Sequence, residues 1–444
     1  MLFRSTIRKM ASQRFIDLAK GHPDSALLDG GLMATGLRKV ADMYEVGCKD
    51  GMQYGSQMRG QTSFLKSLGD FIERHSQKDQ LPSYVGRGWQ GRRPDESRLL
   101  CTHGISHGME LICSSFLRVG DTVAVEDLTY FLMGHIFRDH GLNVISVPTD
   151  KDGLDVAALR KLLSDLQNSN KVLPKMIYTI PTNGNPSAIT LPLERRDELL
   201  ELGKEFGFFV CADEVYHFLD WHKQGECPPR FASIDRSRQG SDTGNDEVAA
   251  AVTGPDACAA PSDDSIPDIS GRAISLNAFT KILAPGLRAG WIEACPEIIR
   301  HLEKRGYLVS QGGVMPFVGD VIEQVMTTKE LDSSLDNLCE QLKIRADTLY
   351  DTCGANNLEV VAPSTGGYFM LVKVPEDCKL DADDNDRGAA FATLLKKEYN
   401  VAVLAGSRTG PAGVDYVRVC FAYLPAGDIK EGVERIGAAA KAVS

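Results

Sequence analysis

The sequence predicts an α/β protein: a large domain whose mostly parallel sheet is sandwiched by helices, followed by a small C-terminal α+β domain. Three observations carry this. Between about residues 98 and 294, short apolar runs alternate with segments of helical period, the pattern of βα units in a parallel sheet. After Pro296 the alternation gives way to helical stretches at 297–309 and 331–350, then to short strands near 358–361 and 368–372. A chain of 444 residues also exceeds what one core usually supports. The expected division is an N-terminal segment 1–50 packing on the small domain, a large domain 51–310 and a small domain 311–444.

Taken in order, residues 1–16 hold Arg4, Arg8, Lys9 and Arg14 and no acid, which is compatible with a mitochondrial import segment. The segment is short, Met10-Ala11-Ser12 reads equally well as a second start, and a basic N-terminus often carries no address. A cytoplasmic location is therefore the main expectation and a mitochondrial one the alternative. No run reaches eighteen apolar residues, so no membrane span is expected. Gly86-Arg87-Gly88-Trp89-Gln90-Gly91-Arg92-Arg93 reads as a solvated loop.

Leu99-Leu100-Cys101-Thr102 is a strand, and His103-Gly104 turns it into a helix. The free N–H groups at that helix start, at Ile105 and Ser106, suit an anion such as a phosphate. His103 and His107 have no third ligand at suitable spacing, so no metal is expected. Thr122-Val123-Ala124-Val125 and Val144-Ile145-Ser146-Val147 are further strands. Tyr130, just past the first of these, can stack on a flat ring or simply pack in the core. A strand over 176–180 enters the turn Thr182-Asn183-Gly184-Asn185-Pro186. A residue before proline is held extended, which lets Asn185 project its amide into a cleft, although an ordinary Asx-turn has the same composition.

The helix at 193–206 leads into Phe208-Phe209-Val210-Cys211, a continuous apolar run typical of a buried parallel strand. Asp213 falls at its C-terminal end, where α/β sheets collect ligand groups. A carboxylate there can keep a pyridine nitrogen protonated, and Tyr216 can reach a ring hydroxyl; a helix N-cap is the plainer use of such an aspartate. Residues 236–268 are rich in Ser, Asp, Gly, Ala and Pro without periodicity, and a flexible surface insertion is expected.

Ala273-Ile274-Ser275-Leu276 then delivers Lys281, followed by Pro285-Gly286 and Arg288. A lysine at the end of a buried strand loses solvation, and its pKa falls toward neutrality. Such an amine forms Schiff bases with aldehydes, and Arg288 is placed to clamp a phosphate on the same ligand. Alone, Lys281 would be a surface lysine beside a turn. The four preceding segments supply the matching parts.

Together these segments resemble the fold-type I pyridoxal-phosphate enzymes, specifically the class I/II aminotransferases, from about Ile16 to Ile436. The resemblance implies an aspartate aminotransferase-like fold with pyridoxal 5'-phosphate as cofactor. In it, Lys281 is the Schiff-base lysine and general base, and Asp213 the partner of the ring nitrogen. Asn185 and Tyr216 hold the ring oxygen and Tyr130 stacks on the ring. Gly104, Ile105, Ser106 and Arg288 hold the phosphate. Met52-Gln53-Tyr54-Gly55 followed by Gly60 resembles an element whose tyrosine reaches the neighbouring subunit's phosphate, so Tyr54 implies a homodimer with shared sites. Val417-Arg418-Val419-Cys420-Phe421 resembles the strand whose arginine binds the substrate carboxylate. Gly21 lies in Leu18-Ala19-Lys20-Gly21-His22-Pro23, similar to the segment that closes over substrate; Gly21, Asn185 and Arg418 are thus the substrate-side residues. Gly366-Gly367-Tyr368-Phe369 resembles the small-domain strand near the pocket.

Two positions depart from the family. Ala278 stands where a phosphate-binding serine is usual, with Thr280 as the compensating hydroxyl, and Ala188 stands where a glycine ends the Asn-Pro turn. Within the class, the Gly-His-Pro start and the Thr280-Lys281 pair look most like broad-specificity 2-aminoadipate/aromatic aminotransferases. The implied reaction is transamination of an α-amino acid (2-aminoadipate, aromatic or aliphatic) with a 2-oxo acid such as 2-oxoglutarate. The same constellation also serves β- or γ-eliminating lyases, because the α-carbanion is shared, and a non-catalytic scaffold or regulator is the reading from another class. The net charge of −11 argues against a nucleic-acid surface. Eleven cysteines without a Cys-x-x-Cys pair read as reduced thiols in an intracellular protein.

Overall fold

A computed structural model describes residues 14–444 apart from 49, 55–57, 77–92, 223–226, 240–268, 311–312, 314 and 381–385. The expected loop at 86–93, all but its last residue, the import segment up to residue 13, and residues 240–268 of the expected insertion lie outside the described residues.

The chain opens with β1 (Ile16–Asp17). The large sheet is built from β2 (Leu99–Thr102), β3 (Thr122–Glu126), β4 (Asn143–Val147), β7 (Met176–Thr179), β8 (Phe209–Asp213), β9 (Ala273–Ala278) and β10 (Gly290–Ala294). The two-residue strands β5 (Thr149–Asp150) and β6 (Gly153–Leu154) form a hairpin beside it. The spatial order is β2-β10-β9-β8-β7-β3-β4. All neighbours are parallel except that β10 runs antiparallel to both β2 and β9.

Period-two alternation divides the central strands between two cores, because successive strand side chains point to opposite faces. Met176 and Tyr178 of β7, with Phe209 and Cys211 of β8, enter the core shared with the C-terminal part of the chain. Ile177, Val210 and Ala212 enter a second core beneath the Leu193–Phe206 helix. Parallel register sets Asp213, the last residue of β8, opposite Leu276, and β9 runs two residues further to Ala278. The C-terminal edge of these two strands carries Asp213 and the turn leading to Lys281.

The C-terminal part contains the antiparallel sheet β11-β14-β13, with β11 at Phe369–Lys373, β13 at Leu404–Ala405 and β14 at Tyr416–Cys420. The remaining strand, β12 (Val401–Ala402), pairs in parallel with β1, which fixes the start of the described chain against this region. The Lys329–Ala355 helix leads into it and packs on the Ala426–Val443 helix.

Four local expectations change. Residues 297–309 form two helices, Pro296–Glu303 and Gly306–Val309, because Arg305 is extended and Gly306 starts afresh. Around 358–361 only Val360 bridges, to Val372. Arg236 and Arg238 complete the Phe231–Arg238 helix and make ion pairs with Glu293, and with Asp197 and Glu201, so the irregular stretch begins after them. Lys281 lies beyond the strand, which stops at Ala278, on the helical turn Phe279–Ile282. Among the described residues no helix is long and apolar enough to cross a membrane, and no cluster of metal-ligating side chains occurs. The ten described cysteines are free thiols.

Candidate active site

Asp213 ends a strand of five buried residues, and its carboxylate is itself buried. Tyr178, one strand over, donates its hydroxyl to Asp213 Oδ2 at 2.9 Å, and the Val215 N–H reaches Oδ1 at 3.4 Å. Burial pushes the carboxyl up to about 6, with these donors and the Lys281 charge pulling the other way. The group is ionised at neutral pH yet meets no lysine or arginine at ion-pair distance among the described residues.

Lys281 is half-buried, with protein atoms crowding its amine. Nζ donates to the Gly21 carbonyl at 3.3 Å and lies 5.0 Å from the Tyr368 ring centre and 5.9 Å from that of Tyr216. Desolvation lowers its pKa to about 8, although Cys420 and Asp213 act in the opposite sense. Tyr368 also donates its hydroxyl to the Lys281 carbonyl at 3.2 Å, holding the turn from below the amine.

Arg418 is only 4% exposed. Its Nη1 donates to Asn185 Oδ1 at 3.0 Å, its Nη2 donates to the Ala19 carbonyl at 2.9 Å, and its plane stacks 4.0 Å from the centre of Phe369. Nε has no partner, and among the described residues no carboxylate pairs with the guanidinium. A cation this deep without an acid is costly. The bond to Arg418 also orients Asn185: its oxygen is committed, so its NH₂ is the free donor. The Asn185 loop is held at its neck by the fully buried Arg196, which donates to Pro181 O at 2.7 Å and Leu191 O at 2.8 Å. Ala188 in this loop has φ of +63°, the left-handed region that favours glycine.

An anion cradle lies alongside. Gly104 caps the Ile105–Phe116 helix with φ of +82° and no side-chain cap, leaving the first N–H groups, at Ile105 and Ser106, open to a ligand. The positive φ is what favours glycine at 104, and Arg288 Nη2 lies 2.9 Å from where a Cβ would stand, which puts the guanidinium at the helix start. Arg288 is exposed and donates to His103 O at 3.4 Å and Pro285 O at 3.2 Å. His107 accepts the His103 N–H at 3.1 Å, an ordinary helix-start role.

Thus Lys281, Asp213, Tyr216, Asn185, Arg418, Gly21 and Tyr130 converge. Tyr130 is half-buried, and its hydroxyl is pushed up by burial and by the Asp213 charge. Thr280 adjoins Lys281 on the same turn, and Ala278 brings no hydroxyl to its start. Tyr54 is 78% exposed. Sequence reasoning did not name Tyr178, because a strand buried on both faces gives no sign of which residue meets Asp213. It also left out Glu126, which accepts from Thr179 Oγ1 at 2.5 Å and Ile180 N at 3.2 Å and is pushed by burial to about 7. A cleft of about 780 Å³ bordered by His22, Pro23, Pro285 and Tyr423 opens beside this constellation, but Lys281, Asp213 and Arg418 do not line it.

The donor set fits a flat, anionic aldehyde: an amine of lowered pKa, a buried acid for a ring nitrogen, and an uncapped helix start with an arginine for a phosphate. Comparison with known proteins agrees. The sequence pattern of the family described as aminotransferase class I and II matches residues 48–436. An aromatic-amino-acid aminotransferase 1 of Thermococcus litoralis is 27% identical over 358 residues, 76% of this chain and 71% of the relative. The mitochondrial kynurenine/alpha-aminoadipate aminotransferase of Rattus norvegicus is 28% identical over 216 residues, 47% of this chain and 43% of the relative. The crystal structure of a multiple substrate aminotransferase from Thermococcus profundus superposes with a TM-score of 0.74 at 25% identity, covering 99% of this chain and 94% of the other.

Proposed function

The chain belongs to the class I and II aminotransferases, and from that premise we propose a substrate range and a set of residue roles. The enzyme carries out pyridoxal-phosphate-dependent transamination between amino acids and 2-oxo acids. Its donors we take to be 2-aminoadipate, aromatic or aliphatic amino acids, with 2-oxoglutarate as acceptor. The relatives' names support the aromatic and aminoadipate part of this range, and the buried Arg418 without a carboxylate among the described residues suits all of it, since every such substrate brings an α-carboxylate.

Bound at this site, pyridoxal 5'-phosphate supplies the aldehyde carbon and an electron-withdrawing ring. The remaining chemistry is assigned to the chain's own groups. Lys281 Nζ, with a pKa of about 8, is partly neutral at physiological pH; it accepts the substrate α-proton and returns it at the carbon that the cofactor's aldehyde supplies, across the substrate nitrogen. Asp213 keeps a negative charge facing the ring nitrogen, and Tyr178 steadies that carboxylate. Asn185 and Tyr216 hold the ring oxygen, and Tyr130 covers the ring. The phosphate falls to Gly104, Ile105, Ser106 and Arg288, with Thr280 as the hydroxyl. Arg418 and Asn185 bind the α-carboxylate, while the strap at Gly21 excludes water.

The same proposal includes the division into 1–50, 51–310 and 311–444, for which the β1–β12 pairing is support. It also includes a homodimer with shared sites. Exposed Leu37, Val46, Met52, Tyr54 and Phe317 support it, since apolar side chains this exposed suit an interface. Tyr54→Phe should then weaken cofactor retention by about 1.5–3 kcal/mol, one hydrogen bond to a charged group. A fully active monomer in sedimentation would count against shared sites. We place the enzyme in the cytoplasm, with mitochondrial import the alternative raised by the basic N-terminus and by the rat relative's name.

The test is a panel of amino acids with 2-oxoglutarate, reading glutamate formed and pyridoxamine phosphate left after a single half-reaction. Release of ammonia without pyridoxamine phosphate would overturn transamination in favour of elimination.

A further inference from the structure

Asn183, two residues before Asn185, is used by none of the steps above, yet it is 2% exposed, and its side chain joins three segments. Its Nδ2 donates to Asp220 Oδ2 at 2.8 Å, and its Oδ1 accepts from Thr365 Oγ1 at 3.1 Å. Its backbone N–H is held by Thr190 Oγ1 at 3.1 Å, within the same loop. Around this hub the chain segments fit closely. Asp220 forms an antiparallel bridge with Gly366, and the Trp221 N–H donates to Thr365 O at 2.8 Å. A Cβ on Gly366 would fall 2.1 Å from Asn183 Nδ2 and 2.7 Å from the Leu219 carbonyl, so no other residue fits there without moving the hub.

The strap 364–367 leads directly into Tyr368 and Phe369. Tyr368 supports the Lys281 carbonyl, and Phe369 carries the Arg418 guanidinium on its face. A single amide thus ties the loop bearing Asn185 to the two rings that wall the amine and the carboxylate site. Some anchors of this wall lie within the small sheet, such as the Phe421 N–H on Tyr368 O at 3.0 Å, and others cross from it, the Tyr368 hydroxyl to Lys281 O and Phe369 through Arg418 to Asn185; the Asn183 side chain adds the tie that joins the Asn185 loop itself to the strap before Tyr368.

We propose that Asn183 is a positioning residue: through Asp220 and Thr365 it sets the Tyr368–Phe369 wall at the spacing from Asn185 that lets Arg418 and Asn185 grip one carboxylate together. The inference rests on the transaminase reading given above. Its consequence falls on substrate binding more than on the chemical step, because Asp213 keeps Tyr178 and Val215 and the Lys281 amine keeps the Gly21 carbonyl, while the wall reaches only the Lys281 carbonyl.

The test uses steady-state kinetics of the holoenzyme for Asn183→Ala, Thr365→Val, Asn183→Asp and the double variant Asn183→Asp/Asp220→Asn. Thr365→Val should raise KM for both the amino acid and the 2-oxo acid about tenfold, the equivalent of one buried hydrogen bond, and Asn183→Ala, which removes two, by at least as much, with kcat within about threefold in each. Asn183→Asp sets two carboxylates against each other and should do worse, whereas the double variant restores an acid–amide pair with donor and acceptor exchanged and should recover KM. A second readout needs no activity. In the cofactor-free protein, amide hydrogen exchange in peptides covering 217–222 and 364–369 should quicken in Asn183→Ala and return to normal in the double variant.

Wild-type KM in Asn183→Ala and Thr365→Val overturns the proposal, as does a double variant no better than Asn183→Asp. If Asn183→Ala does not fold, the volume-conserving Thr365→Val decides by the same criterion. A wild-type enzyme that transaminates nothing would sink the functional reading itself. An active wild type with indifferent variants sinks only the role of Asn183.

Discussion

Glu293 on β10 and Asp213 on β8 are buried carboxylates of the same sheet, but their surroundings are opposite in kind. Glu293 receives Arg230 at 2.6 Å and also Arg236, all within the interior. Burial works against its charge, but the two guanidinium groups hold it below the usual carboxylate range. Asp213 has a tyrosine hydroxyl and a backbone N–H instead of a cation, and burial prevails, raising it to about 6. Arg418 has the complementary shortage, a buried cation without an acid. A paired buried charge has its partner built into the fold. An unpaired one retains capacity for a charge that arrives with a ligand. The contrast marks Asp213 and Arg418 because the two shortages face one site; Glu126, also buried without a cation, is satisfied by Thr179 and the Ile180 N–H instead.

The comparison can be broken most decisively at Lys281. Lys281→Ala should lower turnover by roughly 10²–10⁴-fold or more while cofactor still binds non-covalently. In the wild type, borohydride should fix the cofactor to the Lys281 peptide, read by mass spectrometry; label elsewhere would refute the assignment.

Glu293→Gln should do the reverse. It leaves Arg230 and Arg236 without their acid and should cost about 3–5 kcal/mol of stability in denaturant melts, with KM untouched in whatever folds. Arg418→Lys sharpens the contrast from the other side. It keeps the charge and loses the fork, so KM for both substrates should rise, about 10–100-fold for the loss of 1.5–3 kcal/mol of charge-assisted bonding, with little change in melting temperature. A melting temperature that collapses while KM holds would make Arg418 structural.

Proton linkage gives a smaller but signed effect in the cofactor-free protein. The folded pKa of Asp213, about 6, lies above its ordinary 3.8, so the folded chain binds the extra proton between them. The Asp213 contribution to stability should therefore fall as pH rises from about 4 to 6, and Asp213→Asn should remove that share of the slope, leaving the like-signed share of Glu126. Lys281 is depressed from 10.5 to about 8, so over that window the unfolded chain holds its proton and its own contribution to stability rises with pH, against the buried thiols such as Cys101 and Cys113, whose raised pKa values act in the opposite sense. Lys281→Met should remove the Lys281 share. The smallest effect is expected at Ala188, whose φ of +63° strains an alanine. Ala188→Gly should relieve about 1 kcal/mol or less, since the lost methyl and the added unfolded-state freedom act against it, and activity should be unchanged.

Much of this architecture was legible in the residues. The helix read at 193–206 has those bounds, and Asp213 stands at the strand end where the apolar run placed it. Both follow from local periodicity, which hydrophobic burial imposes on any sequence. Boundaries that depend on backbone detail were less legible: the break before Gly306 and the lone bridge at Val360 turn on a few dihedral angles and on which neighbour supplies hydrogen bonds.

The sequence by itself determined the order of strands and turns and the chemical types brought to their ends: an amine, an acid, an amide, a glycine-opened helix start and two arginines. These are properties of short segments, encoded by side-chain period and turn chemistry. Only the tertiary structure decided which of those groups lack partners and which meet across long separations. Arg418 touches Asn185 and Ala19, Lys281 touches Gly21, and Asn183 touches Thr365, contacts between segments about 180 to 400 positions apart. No local pattern specifies them, because loop closure and the packing of two sheets set those distances, and a charge's burial depends on everything folded around it.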